Sequence, residues 1–248
     1  MDLLAVGTDS KTPRGLALRV LTGICYLQPA DESGDGVNLC SHYTAACKAV
    51  CINVTGRGIF PSVQRGRARK RALFVSNRPE FLRRMDRDLS ALERKARRLE
   101  MTPGARMNGT SDVAWELIAP ALFSGHPDTR FYDYTKVPAR MTRYLAGKLP
   151  PNYSLTFSRS DKNEEQALGV LAMGGNVAVV FGTPRGAALP STWHGYRVVD
   201  GDASDVRFLD PAGVVVGLRA KGGAKKDATG FVVRGMTPAL AAPAGKRG

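Results

Sequence analysis

The sequence predicts an α/β fold in which βα units curl into a compact or incomplete TIM-type barrel, with an N-terminal Cys-rich loop and a basic helical segment. Three observations predict it. From Gly104 onward, short apolar runs rich in β-branched and aromatic residues alternate with helical or irregular stretches, the rhythm of βα units around a parallel sheet. Each run ends in polar or charged side chains, so one rim of the sheet is polar. Finally, "NLCSHYTAACKAVCINVTGRG", residues 38–58, follows an apolar run and holds Cys40, Cys47 and Cys51, three of the chain's 4 cysteines.

With 248 residues, 43% hydrophobic and 23% charged, the chain can bury a core without cross-links, and a single domain over residues 1–234 is expected. Residues 235–248, rich in Gly, Ala and Pro, read as a flexible basic tail. The opening "MDLLAVGTDSKTPRG" lacks the basic and apolar regions of a signal peptide, and no run approaches the roughly 18 apolar residues of a membrane span. A cytoplasmic protein with no membrane partner is expected. In a reducing compartment, clustered cysteines are more often metal ligands or catalytic groups than disulfides.

In chain order, "GICYLQ" is the first clear strand, and the cysteine loop hangs from its end. The basic helical segment, residues 61–100, comes next. Residues 57–107 hold fifteen Lys and Arg against five Asp and Glu, so ten of the +14 net charges lie there. "VQRGRARKRALF" places Arg65, Arg67, Arg69, Lys70 and Arg71 in one run, and cations so close repel one another unless an anion joins them. In "EFLRRMDRDLSALERKARRLE", Phe81, Leu82, Met85, Leu89, Leu92, Ala96 and Leu99 recur at helical spacing with basic residues opposite. For this second piece alone a solvated helix face is the plainer reading. The expected partner is the phosphate backbone of a nucleic acid, DNA ahead of RNA, held by the Arg65–Arg71 run with Arg57 and Arg83.

Beyond it, "GARMNGTSD" precedes the helical "VAWELIAPALF", "TRFYDYTK" precedes "VPARMTRYLAGK", and "YSLTFSRS" precedes "DKNEEQALGVLAMG". "NVAVVFGTP", "YRVVDGD" and "GVVVGLRAKG" bring the total to about seven strands. Their ends supply Asn108, Thr110, Ser111 and Asp112; Asp133, Thr135 and Lys136; Thr156, Ser158, Arg159 and Ser160; Thr183 and Arg185; Asp200 and Asp202; Arg219 and Lys221. Helix capping and turn chemistry account for some of these singly, such as Ser111 and Asp112 before a helix or "DGD" in a turn. A ligand site on the carboxyl rim accounts for all six ends together. Asp133 stands between Tyr132 and Tyr134, so strand alternation sends it opposite to them, toward the barrel interior if the tyrosines face the helices.

The spacing C-x6-C-x3-C admits three readings: thiols with no joint role, a zinc site completed by His42 or Cys25, or an iron–sulfur cluster on three thiolates with one iron open. The cluster is favoured, because cluster ligands commonly come from one short Cys-rich loop.

The order of "LCSHYTAACKAVCINVTGRG", "ARMNGTSDVAWE", "RFYDYTKVPAR", "LPPNYSLTFSRS" and "FLDPAGVVVGLRAKG", within residues 23–234, resembles a phage-encoded family related to the gene product 88 group. That group resembles radical-SAM-type barrels, where a three-cysteine loop after the first strand holds a four-iron cluster whose open iron binds S-adenosylmethionine. The resemblance implies Cys40, Cys47 and Cys51 as ligands of a [4Fe-4S] cluster, with S-adenosylmethionine as its companion. Their spacing differs from the common C-x3-C-x2-C. A second analogy is to phage deazaguanine DNA transglycosylases, which exchange a base with carboxylates and carry a Cys/His zinc site.

Two classes of function follow. One is an enzyme that alters nucleic-acid bases, with its cluster or metal at the rim and its basic segment on phosphates. In it Asp133, Asp112 and Asp200 are the candidate catalytic carboxylates, with Lys136 beside them. Asn108, Thr110, Ser158, Arg159 and Lys221 are candidate substrate-binding residues, Lys136 and Arg159 being suited to a phosphate or to the carboxylate of S-adenosylmethionine. The other class is a non-catalytic nucleic-acid-binding protein whose metal only staples the loop. Polar strand ends favour the enzyme.

Overall fold

Nine strands form one sheet in the computed structural model, which describes residues 2–7 and 12–235. They are β1 (Leu4–Val6), β2 (Val20–Cys25), β3 (Thr102–Arg106), β4 (Arg130–Thr135), β5 (Tyr153–Ser158), β6 (Val177–Phe181), β7 (Thr192–Trp193), β8 (Tyr196–Asp200) and β9 (Val215–Arg219). Their spatial order is β1-β2-β3-β4-β5-β6-β9-β8-β7. From β2 to β8 every neighbouring pair is parallel, while β1 and β7 pair antiparallel at the two ends. The α/β class with a mostly parallel sheet is as expected. Among the described residues no ladder joins the two ends, so the sheet is open rather than a hydrogen-bonded ring. Of the expected tail, residues 235–248, all but Gly235 lie outside the described residues.

The connecting helices are α1 (Thr12–Ala17), α2 (Ala45–Ala49), α3 (Pro61–Ser76), α4 (Arg78–Arg98), α5 (Trp115–Ile118), α6 (Pro120–Gly125), α7 (Pro138–Leu145) and α8 (Glu164–Ala172). Pro61 opens α3 in its first turn, where its missing N–H costs nothing. Asn77 separates α3 from α4 and caps the latter, its Oδ1 accepting from Glu80 N at 3.1 Å. Phe81, Met85, Leu89, Leu92 and Ala96 of α4 are buried, and the helix packs on β2 and β3. The expected "VAWELIAPALF" helix splits into α5 and α6 because Pro120 has no N–H to donate and drives Ala119 out of helical conformation. Phe74, Phe81 and Trp115 lock α3, α4 and α5 together, with ring centroids 5.2, 5.3 and 5.9 Å apart.

The opposite face of the sheet is covered by the connection between β8 and β9, residues 201–214, which includes a 3-10 turn at Arg207–Leu209. Phe208 meets the Tyr132 ring edge-on at 5.4 Å, and Asp205 Oδ2 accepts from Arg106 Nη1 of β3 at 2.6 Å. Tyr132 and Tyr134 therefore face this inner layer, and Asp133 faces the helices. That corrects the expected sense of β4: the alternation is as read, but Phe208, Asp205 and Arg106 occupy the tyrosine side. No helix of the described residues is long and apolar enough to cross a membrane.

Candidate functional site

A cavity of about 350 Å³ opens at the carboxyl ends of the parallel strands, at the lower end of the roughly 300–1,000 Å³ of small-ligand sites. Its walls come from the cysteine loop, from the loops after β3 and β4, from the ends of β5 and β9, and from the segment 220–231. Cys40, Cys47 and Cys51 all line it, as the loop position after β2 predicts. Thr44 starts α2, its Oγ1 accepting from Cys47 N at 3.0 Å while donating to Asp161 Oδ1 at 2.5 Å. Cys47 lies within α2, whereas Cys51 follows its end and caps the next 3-10 turn, its Sγ accepting from Asn53 N at 3.4 Å. Cys40 Sγ lies 3.6 Å from the Thr110 carbonyl oxygen, and Asp112 N donates to the Leu39 carbonyl at 2.7 Å, so the cysteine loop is sewn to the loop after β3.

Burial pushes the Cys40 thiol up to about 12, and burial also raises Cys51 against the Asn53 N–H that favours its thiolate. Neither is a free thiolate nucleophile at neutral pH. Among the described residues no three His, Cys, Asp or Glu side chains group around one point as a single metal ion requires. His42 lies at the cavity but is exposed, its Nδ1 3.0 Å from Ser41 Oγ. Cys25 is fully buried in β2 and does not line the cavity. The four cysteines are free.

The candidate carboxylates do not converge. Asp112 lines the cavity, but its Oδ2 accepts from Lys136 N at 2.7 Å and its Oδ1 from Arg140 Nη1 at 2.6 Å. Asp133 lies behind the wall, holding Asn108 N, Asn108 Nδ2 and the Tyr153 hydroxyl at 2.8, 3.1 and 2.8 Å. Asp200 is turned to Arg219, 2.9 Å away, outside the cavity lining. The three were expected to converge in a closed barrel, whereas this sheet is open and places β8 five positions from β3, so Asp200 lies apart from the others.

Of the substrate-binding candidates, Ser158 lines the cavity and its Oγ accepts from Lys136 Nζ at 3.0 Å. Lys136 reaches the cavity with no carboxylate paired to its ammonium among the described residues. Asn108 and Thr110 line it too but are committed to the fold: Asn108 Oδ1 accepts from Ser111 Oγ, Val113 N and Trp115 Nε1, and Thr110 Oγ1 donates to the Leu27 carbonyl at 2.5 Å. Arg159 points away, bonding Glu164 and the carbonyls of Gly230 and Phe231. Lys221 sits at the rim and donates to Asp202 Oδ1 at 2.6 Å.

The basic run is divided by the helix it forms. Arg67 and Arg71 turn inward: Arg67 Nη1 donates to Asn53 Oδ1 at 2.5 Å, and Arg71 binds Ser33 Oγ at 2.6 Å, the Val37 carbonyl and Asp35. Lys70 Nζ donates to the Leu3 carbonyl at 2.6 Å, and Arg83 pairs with Glu80 at 2.6 Å. Arg67, Lys70 and Arg71 were expected on phosphates and instead hold the chain, while Arg83 stays exposed in its surface pair with Glu80. Arg57, Arg65 and Arg69 are exposed.

Sequence reasoning missed Arg106 and Arg140, 8% and 3% exposed. Burial opposes the charge of each, yet Asp205 around Arg106, and Tyr153, Glu116 and Asp112 around Arg140, hold both above their ordinary values. The available signal was an arginine inside an apolar strand, "GARM", and one on the inward face of "VPARMTRY". No curated protein and no solved structure matches the chain. A family model, Gene product 88, matches residues 3–235. The chain belongs to the gene product 88 family.

Proposed function

We propose that the protein is a nucleic-acid base-modifying enzyme carrying a three-thiolate iron–sulfur cluster in its strand-end cavity, working in the reducing cytoplasm. The observation that carries the reading is that Cys40, Cys47 and Cys51 line one cavity together with Lys136 and Ser158. A cluster on three thiolates needs its ligands around one shared space, and the three thiols line one cavity. Bound there, a cluster would supply one-electron chemistry and an open iron.

The chain's own residues support the rest. Lys136, steadied by Ser158, offers an ammonium to an anionic group of the substrate or of S-adenosylmethionine. Asp112 sets where Lys136 stands by accepting from its backbone N–H. Val180, Leu218 and Phe231 give the walls an apolar lining. We read the sheet as the wall of an incomplete barrel whose inner side is filled by residues 201–214. Protein purified without oxygen should be brown, with iron and sulfide both lost in Cys47→Ala, and DNA exposed to it should yield a nucleoside of altered mass. Colourless protein holding one zinc per chain overturns the cluster and returns the loop to a structural staple.

A further inference from the structure

The segment between the cysteine loop and α3 is folded inside out. Residues 52–54 and 56–59 make two successive 3-10 turns. The side chain at their centre is polar: Asn53 is 1% exposed, its Nδ2 donating to Glu32 Oε2 at 3.0 Å and its Oδ1 accepting from Arg67 Nη1 at 2.5 Å. Gln64 Nε2 ties the turns to α3 through the carbonyls of Asn53 and Gly58, at 2.7 and 2.6 Å. The apolar side chains point the other way, with Ile52, Val54, Ile59 and Phe60 exposed by 55%, 45%, 59% and 52%. A buried amide ringed by exposed apolar neighbours reverses the usual partition. The arrangement is tight, since a Cβ at Gly58 would lie 2.5 Å from the Ile52 carbonyl oxygen. Single exposed apolar residues need no explanation, but a cluster held outward by buried polar bonds marks a contact surface.

Charge and position select the partner. The sequence has no Asp or Glu between Asp35 and Glu80, and the Glu32 carboxylate, which reaches the segment from outside it, accepts from Asn53. Arg65 and Arg69 are exposed one turn apart on α3, the face left outward once Arg67, Lys70 and Arg71 turn in. Ile52 and Thr55 line the cavity. An apolar and aromatic ledge beside cations is the surface that stacks unpaired bases and holds their phosphates. A base can enter a cavity of this kind only when it has left its stack.

We propose that residues 52–69 are a docking platform for single-stranded nucleic acid, with Ile59 and Phe60 against bases and Arg65 and Arg69 against the backbone. A strand lying there adjoins the cavity through Ile52 and Thr55, which line it. The inference rests on the base-modifying reading for the purpose of the strand, while the docking is measurable without it.

The test is fluorescence anisotropy with a labelled oligothymidylate of about 12 nucleotides, within the range of single-strand site sizes, against a hairpin duplex. Wild-type protein should bind the single strand more tightly. Ile59→Ser with Phe60→Ala should weaken it about 5- to 150-fold. Arg65→Ser with Arg69→Ser should make the log–log salt slope shallower by about 1.4. All four side chains are exposed, and an unchanged melting temperature will show that both variants fold. Preference for the duplex by the wild type, or full affinity in the Ile59/Phe60 variant, overturns the platform. So does binding to phosphatidylserine vesicles without binding to the oligonucleotide, which assigns the ledge to a membrane surface. Strand binding that depends on Phe60, with no base modified, upholds the platform and overturns the enzyme.

Discussion

Asn108 grips both oxygens of Asp133, its backbone N–H reaching Oδ1 at 2.8 Å and its side-chain amide Oδ2 at 3.1 Å. The other end of that amide, Oδ1, collects Ser111, Val113 and Trp115. One side chain thus joins the buried carboxylate of β4 to the loop that lines the cavity. The wall of the site depends on a charge that lies behind it.

That charge should be visible in stability. Burial lifts the Asp133 carboxyl to about 6, outweighing the Asn108 N–H, Arg106 and Arg140, which favour ionisation. A folded value above the unfolded one, about 3.9, means that this group's contribution is complete below about pH 4 and lost as pH rises through about 6. Denaturant melts from pH 4 to 7 should show wild type losing stability relative to Asp133→Asn, by at most about 3 kcal/mol. A difference that does not change with pH would refute this.

Arg140 is the counter-ion of the same region. It donates to Asp112 at 2.6 Å, to both oxygens of Glu116 at 2.9 Å and to the Tyr153 hydroxyl at 2.7 Å. Arg140→Met strands two carboxylates and should cost about 3–5 kcal/mol, read from the urea midpoint. Arg143→Met, on the exposed side of the same helix, should stay within about 0.5 kcal/mol.

The basic run should split into two phenotypes. Arg71→Ser removes bonds to Ser33, Asp35 and Val37 and should lower stability by about 1–3 kcal/mol, leaving the salt dependence of nucleic-acid binding unchanged. Arg69→Ser should do the opposite. If both variants flatten the salt slope equally, the inward and outward faces of α3 have been assigned wrongly.

Two glycines provide a paired test of packing. A Cβ on Gly109 would sit 2.6 Å from the Cys25 carbonyl oxygen, so Gly109→Ala should displace the loop of Thr110 and Asp112 and cost about 1–3 kcal/mol. Gly66, in α3, has open space around its Cβ position, and Gly66→Ala should stabilise by about 0.5–1 kcal/mol. Thermal melts of the two should move in opposite directions.

The sequence by itself determined the features that rest on local chemistry. The helical spacing from Phe81 to Ala96 made α4, the alternation of apolar runs made a parallel sheet, and a cysteine loop after a strand had to reach the carboxyl rim. Periodicity, however, defines two faces without naming which one is covered. For β4 that choice was made by Phe208 and Asp205, contributed from about 70 residues away by a connection with no periodic signal of its own. For α3 it was made by Asn53 and Asp35, which draw Arg67 and Arg71 inward and leave Arg65 and Arg69 outside. Only the tertiary structure decided whether polar strand ends meet: an open sheet keeps Asp200 far from Asp112, and burial turns Asp133 and Asn108 from ligand contacts into the frame of the cavity.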